Sequence, residues 1–433
     1  MTAPRRFAGI AAALFAASAA VPAAAQDMAI TNARLVIGDG SAPIEGGTVV
    51  VRGGKVVAAG AGVAVPAGVP VTDAGGKWVT PGLVVAVTDL GLVDVGAVDE
   101  SNDEEAKKAR FSAALDIAPA INPLAQPIAV SRAGGVTRAA VAPLSTAAIF
   151  EGQGAVIDLG ADPGAVTTAR AFQYVELGEG GAELSGGSRI AAVAELRNAL
   201  GEARELAAAP AGSRRDDVLL NRGDALALVP VVTGKQPLFV HVERAADIRM
   251  ALTLRAEFPQ LRLVIVGASE GWMVAGDLAA AGVPVLATPL NDLPARFEQL
   301  GATQSNVGRM AKAGVKVSLG AFFDQPRYAP QYAGNLVALT RVPGATGLSW
   351  DQAFAAISSG PAEAIGMGDR FGSLRPGRAG DVVIWDGDPL EVTSGVLKVY
   401  IDGVEQPLSN HQTRLRDRYV KPLTGDLPKA YDW

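Results

Sequence analysis

Cysteine is absent from the 433 residues, which excludes disulfides, cysteine-held zinc and thiolate nucleophiles. Histidine is nearly absent, with His241 and His411 alone. Catalytic zinc takes about three protein ligands and a water, so a histidine-rich zinc hydrolase is excluded as well. Basic charge is in deficit: 38 Lys and Arg against 44 Asp and Glu give a net charge of −6. Phosphate contacts need a basic surface, so no nucleic-acid partner is expected. Charged residues make up only 19% of the chain while AVILMFWYC make up 49%, which supplies a large core and argues against disorder. The length suits two or three domains, or one large barrel with an accessory piece.

The amino terminus reads as a secretory signal over residues 1–25. Arg5 and Arg6 precede the apolar run Phe7 to Val21, and Ala23-Ala24-Ala25 forms a small-residue cleavage site. The run is short for a membrane span, which needs about 20 residues. A periplasmic or secreted location is expected, with no membrane span once the signal is removed.

Residues 26–82 read as β structure. Met28 to Val36, Gly47 to Arg52 and Lys55 to Gly60 are short β-branched runs, and Gly53-Gly54 marks a hairpin. Short β runs return at Asp381 to Trp385 and Val396 to Ile401, with Asp402-Gly403 as another hairpin signal. One small β-sandwich built from residues 26–82 and 366–413 is the economical reading. Between them, Pro237 to Val242, Leu261 to Val266, Val283 to Leu286 and Val315 to Leu319 are compact apolar runs of the kind buried in a parallel sheet. Helical stretches fall at Ala245 to Glu257, Trp272 to Ala280 and Gln304 to Ala313. Residues 83–365 approach the usual (β/α)₈ size of about 250. Gly178 to Gly187 reads as a flexible surface loop, and residues 414–433 as a polar tail. The fold class expected is α/β, a (β/α)₈ TIM-like barrel beside a discontinuous β-sandwich.

Four stretches carry a family resemblance. Thr80-Pro81-Gly82-Leu83 resembles the start of the first barrel strand in the amidohydrolase superfamily. Gly372 to Asp381 resembles that superfamily's return to the β domain, and Ser349 to Met367 its last barrel helices. Pro237 to Ile248 is similar to the imidazolonepropionase-like branch. The resemblance implies hydrolysis of non-peptide C–N bonds by metal-activated water at the carboxyl-terminal mouth of the barrel.

The resemblance also implies a His-x-His pair at the end of the first strand, where residues i and i+2 share a face. Val87 and Asp89 stand at those positions. Strand five keeps His241. Strand six leads into Gly267-Ala268-Ser269-Glu270 without a histidine. At strand eight Phe322 takes the place of the family's aspartate, with Asp324 two residues later. A strand-four lysine or glutamate is implied, and no position stands out for it; Lys235 precedes strand five. His241 and Asp324 are therefore the catalytic candidates, and Asp89, His241, Glu243 and Glu270 the pocket candidates. Each has a plainer reading: His241 as a satisfied buried histidine, Glu243 as its structural partner, Glu270 as a cap for the Trp272 helix and Asp324 as a loop residue. No metal ligand set and no cofactor are expected. A weak divalent-cation site from Asp89, His241 and Asp324 is the alternative, of the oxygen-rich kind that suits Mg²⁺, Mn²⁺ or Ca²⁺.

The expected function is that of a degenerate amidohydrolase with weak or no metal-dependent activity. It would bind a small-molecule ligand or substrate, or associate with itself or an intact paralogue. The alternatives are an active hydrolase with an atypical metal site and a non-catalytic periplasmic ligand-binding protein.

Overall fold

The computed structural model describes residues 26–144, 148–210, 212–213, 217–323 and 325–420. The signal segment, most of the carboxyl-terminal tail and Asp324 lie outside the described residues.

Two eight-stranded sheets organise the molecule. The first begins with β1 (Met28–Leu35), β2 (Ile44–Arg52), β3 (Lys55–Gly60), β4 (Val71–Asp73) and β5 (Trp78–Pro81). Gly53 and Gly54 both take positive φ, at 53° and 76°, and turn β2 tightly into β3. The second sheet follows directly with β6 (Leu83–Thr88), β7 (Val136–Val141), β8 (Phe150–Asp158), β9 (Val166–Glu176), β10 (Leu238–Val242), β11 (Leu263–Gly267), β12 (Val285–Ala287) and β13 (Val317–Leu319). The chain then returns to the first sheet as β14 (Val382–Trp385), β15 (Val396–Ile401) and β16 (Val404–Glu405). There β14 pairs antiparallel with β5, so both ends of the chain build one sheet. That sheet is continuous, in the order β16-β15-β14-β5-β1-β2-β3, with β4 forking off β1. It is a single forked sheet where a two-sheet sandwich was expected.

The second sheet is nearly closed into a barrel. Its path runs from β13 to β6 in reverse chain order, and a parallel bridge from Ala86 to Gly320 joins the two edges. Ala321 N–H donates to Ala86 O and Phe322 N–H to Val87 O, both at 3.0 Å. From β9 to β13 the neighbours are parallel. The strand β8, however, pairs antiparallel with both β7 and β9. The segment β7-β8-β9 is thus a meander without intervening helices, a departure from the regular (β/α)₈ plan. Only short connections separate these strands, too short to hold a crossover helix.

Alternate side chains divide the core. Inward from the barrel wall lie Val84, Ala86, Ala140, Val156, Phe172, Tyr174, Phe239, Val264, Val266 and Leu286, all buried. Phe172 and Phe239 stack at 4.2 Å on this axis. Outward residues such as Val85, Val175, Val240 and Ile265 pack beneath the helices. Burial on both faces explains why these strands read as unbroken apolar runs. At the junction of barrel and forked sheet, buried Arg138 on β7 grips Asp381 through two hydrogen bonds of 2.7 and 2.9 Å. It also reaches Asp402 at 2.8 Å.

The Gly178 to Gly187 stretch, expected as a flexible loop, forms the helix Gly178–Leu184. The tail begins with the helix His411–Tyr419, capped by Asn410.

Candidate functional site at the barrel mouth

Three side chains meet at the carboxyl-terminal end of β9 and β10. In the parallel ladder His241 sits beside Glu176, so the two inward positions are neighbours. The imidazole Nδ1 lies 2.7 Å from Glu176 Oε2, and Nε2 lies 3.2 Å from Glu243 Oε1. A doubly protonated ring donates to both carboxylates. The His241 side chain is 22% exposed, Glu176 18% and Glu243 6%. Burial opposes a charged imidazole here, yet the charge and hydrogen bond of Glu176 and then those of Glu243 outweigh it. They hold the His241 pKa well above its ordinary value. Burial likewise works against the Glu243 carboxylate, but His241 and the Ser269 hydrogen bonds prevail and lower its pKa to about 2. The Ser269 amide donates to Glu243 Oε2 at 2.7 Å, and Asn291 Nδ2 donates to Ser269 Oγ at 3.0 Å.

Glycines make this arrangement possible. A Cβ on Gly180 would stand 2.7 Å from Glu176 Oε1, and one on Gly181 would stand 2.6 Å from the Glu176 carbonyl oxygen. Gly178 has φ +75° and lies against the Glu298 carboxylate. The glycine-rich segment therefore wraps Glu176 closely, which any larger residue would prevent. Behind it Arg189 pairs with Asp247 at 3.0 Å and Glu298 at 3.4 Å, and Glu298 accepts the Glu179 amide at 2.7 Å.

The remaining candidates sit as follows. Asp89 is half-buried at the end of β6, where Thr88 Oγ1 approaches its Oδ1 at 3.5 Å. Glu270 is spent on the backbone: Ala245 N–H donates to Oε2 and Gly301 N–H to Oε1, both at 2.9 Å. It thus serves the start of the helix Ala245–Glu257 rather than the Trp272 turn. Phe322 is buried against the outer layer and stacks on Tyr332 at 5.9 Å. Asp324 lies outside the described residues. His411 is remote from the mouth, with Nδ1 3.1 Å from Gln126 Oε1.

Sequence reasoning missed Glu176, the strand-four carboxylate. Its signal was the ending Tyr174-Val175-Glu176 of an apolar half-strand, followed closely by glycines.

Comparison with known proteins finds relatives of this fold. Residues 263–405, from β11 to the last strand, match the family model described as Amidohydrolase family. A stretch of 60 residues is 42% identical to amidohydrolase tasK of Hapsidospora irregularis. That stretch covers 14% of this chain and only 6% of the curated relative's length. The crystal structure of an amidohydrolase from Thermotoga maritima superposes with a TM-score of 0.75 at 25% identity, over 87% of this chain and 99% of that one. Molinate hydrolase shares the fold, with a TM-score of 0.54 at 18% identity over 95% and 99% of the two chains. Residues 263–405 thus resemble the amidohydrolase family in sequence, and the chain shares its fold with a solved amidohydrolase.

The mouth does not fit a metal held by several imidazoles. Val87 offers no lone pair, and it keeps a positive φ of 61°, a costly conformation for a buried β-branched residue. Both nitrogens of His241 are committed to carboxylates. The end of β11 supplies Val266, Gly267 and Ala268. Among the described residues no group of three or more His, Cys, Asp or Glu is arranged to hold a metal ion. Among them, too, no helix is long and apolar enough to cross a membrane.

Proposed function

We propose that this chain is a secreted amidohydrolase-family protein, of the class acting on non-peptide C–N bonds, in which the metal clamp has degenerated. One observation carries the reading. The imidazole that the family resemblance assigns to a metal is enclosed between Glu176 and Glu243, and the first strand offers Val87 where a donor belongs. The imidazolium neutralises carboxylates that a cation would otherwise neutralise. Such a mouth binds a small molecule with weak or no metal-dependent turnover. A kept barrel with a lost clamp also suits pairing with an intact paralogue, which co-purification from the native host would reveal. Export is supported by the sequence alone, through Arg5, Arg6 and the apolar run that follows.

Turnover assays test the reading. The protein is assayed on cyclic amides, ureas and N-acyl amino acids, with added Zn²⁺ or Mn²⁺ and with chelator. The expected outcome is no chelator-sensitive hydrolysis, together with ligand-dependent thermal stabilisation. Metal-dependent turnover abolished by His241→Ala would instead establish an active hydrolase with an atypical site.

A further inference from the structure

The outer face of the barrel wall carries three buried glutamines. Gln153 stands on β8, Gln173 directly opposite it on β9, and Gln236 just ahead of β10. They are 6%, 0% and 4% exposed. Phe172 and Tyr174 face the barrel axis, so Gln173 between them points outward. Gly154 faces the Phe172 ring, so Gln153 beside it points outward as well.

Hydrogen bonding among these amides is incomplete. Gln236 Nε2 donates to the Arg170 carbonyl oxygen at 2.8 Å and reaches Gln153 Oε1 at 3.4 Å. Gln173 Nε2, Gln173 Oε1 and Gln236 Oε1 are buried and meet no hydrogen-bond partner among the described residues. Native interiors satisfy nearly all such groups, because a buried polar atom without a partner is costly. The adjoining backbone N–H groups are engaged elsewhere: Gln173 N–H donates to Pro237 O, Gln153 N–H to Leu115 O and Gln236 N–H to Pro230 O. Asp116, bridged to Gln153, is closed against Arg170 at 2.7 Å.

These atoms select their ligand. One donor nitrogen and two acceptor oxygens call for a molecule that both donates and accepts. An ion would be buried among neutral amides without a counter-charge, which is costly. A neutral molecule small enough for a closed site is water. The nitrogen and oxygen of one amide diverge and hydrogen bonds prefer to be straight, so the two ends of Gln173 need separate waters.

We infer that about two ordered waters are bound inside the barrel wall, one at each end of the Gln173 amide, and that one of them bridges to Gln236 Oε1. They complete the hydrogen bonding between β8, β9 and β10, on a face to which the β7-β8-β9 meander brings no helix of its own. Gln173 and Glu176 share β9, so the bridge fastens the strand that carries the Glu176 carboxylate to the mouth.

A high-resolution crystal structure of the protein tests this, together with deuteron magnetic relaxation dispersion of water in solution. Solvent peaks are expected within hydrogen-bond distance of Gln173 Nε2 and of Gln173 Oε1, one of them also on Gln236 Oε1. Gln173→Leu, similar in size and without polar atoms, should remove both peaks and lower the number of long-lived internal waters by about two. Gln236→Leu should lower it by about one. Unfolding curves verify that each variant is folded, and the crystal structure of the unmodified chain decides the matter if either is not. Absence of solvent at either end of the Gln173 amide, or a protein group bonded there instead, overturns the inference. So does a dispersion amplitude that is the same in the unmodified chain and in folded Gln173→Leu.

Discussion

Replacing His241 with glutamine removes the cation that Glu176 and Glu243 share among the described residues, while leaving a side chain able to hydrogen bond. The imidazole stands 2.7 Å from Glu176 and 3.2 Å from Glu243. Removing one partner of a buried ion pair costs about 3–5 kcal/mol, because a charge is left uncompensated. Glu243 is well buried, but Glu176 retains some contact with water, so the lower end, about 3 kcal/mol, is expected near pH 6. The pH dependence follows from the two shifts. The folded pKa of Glu243, about 2, lies below its ordinary value, so its stabilising effect is complete above about 4.5 and is lost as pH falls toward 2. Without the imidazolium, burial pushes that carboxyl up instead, and the variant recovers stability by taking up protons on acidification. The folded pKa of His241 is raised, so its stabilisation is complete below about 6.5 and fades as pH rises through the folded value. The difference between the two proteins should therefore peak between about pH 5 and 7 and shrink on either side. Urea unfolding at pH 4, 6 and 9 measures it. Equal stability at pH 6, or a difference that keeps growing toward pH 4, would refute the ion-cluster reasoning.

Three further outcomes are expected. Gly178→Ala should lower stability by about 1–3 kcal/mol in urea unfolding, since φ is +75° and the added methyl meets Glu298. Arg138→Met should cost about 3–5 kcal/mol by the same measurement, because Asp381 and Asp402 are left without their common cation at the junction of barrel and sheet. Asp158 has a pKa raised to about 6, since burial outweighs the Arg138 charge 3.7 Å away. The native protein should thus lose up to about 3 kcal/mol from this group as pH climbs from about 4 through 6, and Asp158→Asn should flatten that part of the stability curve.

Much of the framework was readable because burial on both faces leaves a plain trace. The runs at Pro237, Leu261, Val283 and Val315 become β10 to β13, and the segment Ala245 to Glu257 is a helix over that range. The resemblance of residues 372–381 led to the carboxyl-terminal return, which lies within the family match. The third and fourth barrel strands left no such trace. The first half of β9, Val-Thr-Thr-Ala-Arg, is polar and partly exposed, and its antiparallel pairing with β8 removes the strand–helix spacing that marks the others. Glu176 and Gln173 were hidden in its second half, and Gln153 lies among the glycines of β8. Gly178, Gly180 and Gly181 suggested a loop because glycine breaks helices in general. Here they form the first turn of a helix, and their missing side chains make room for Glu176. Close approach of this kind is a three-dimensional requirement with no local sequence signature.

The central claim is that an imidazolium between two carboxylates stands where a metal clamp would stand. Metal content tests it most directly. The protein is purified without chelator, offered excess Zn²⁺ and Mn²⁺, dialysed, and analysed by inductively coupled plasma mass spectrometry. The account predicts far less than one retained ion per chain, unchanged by His241→Gln. One tightly held equivalent, lost in that variant, would contradict it.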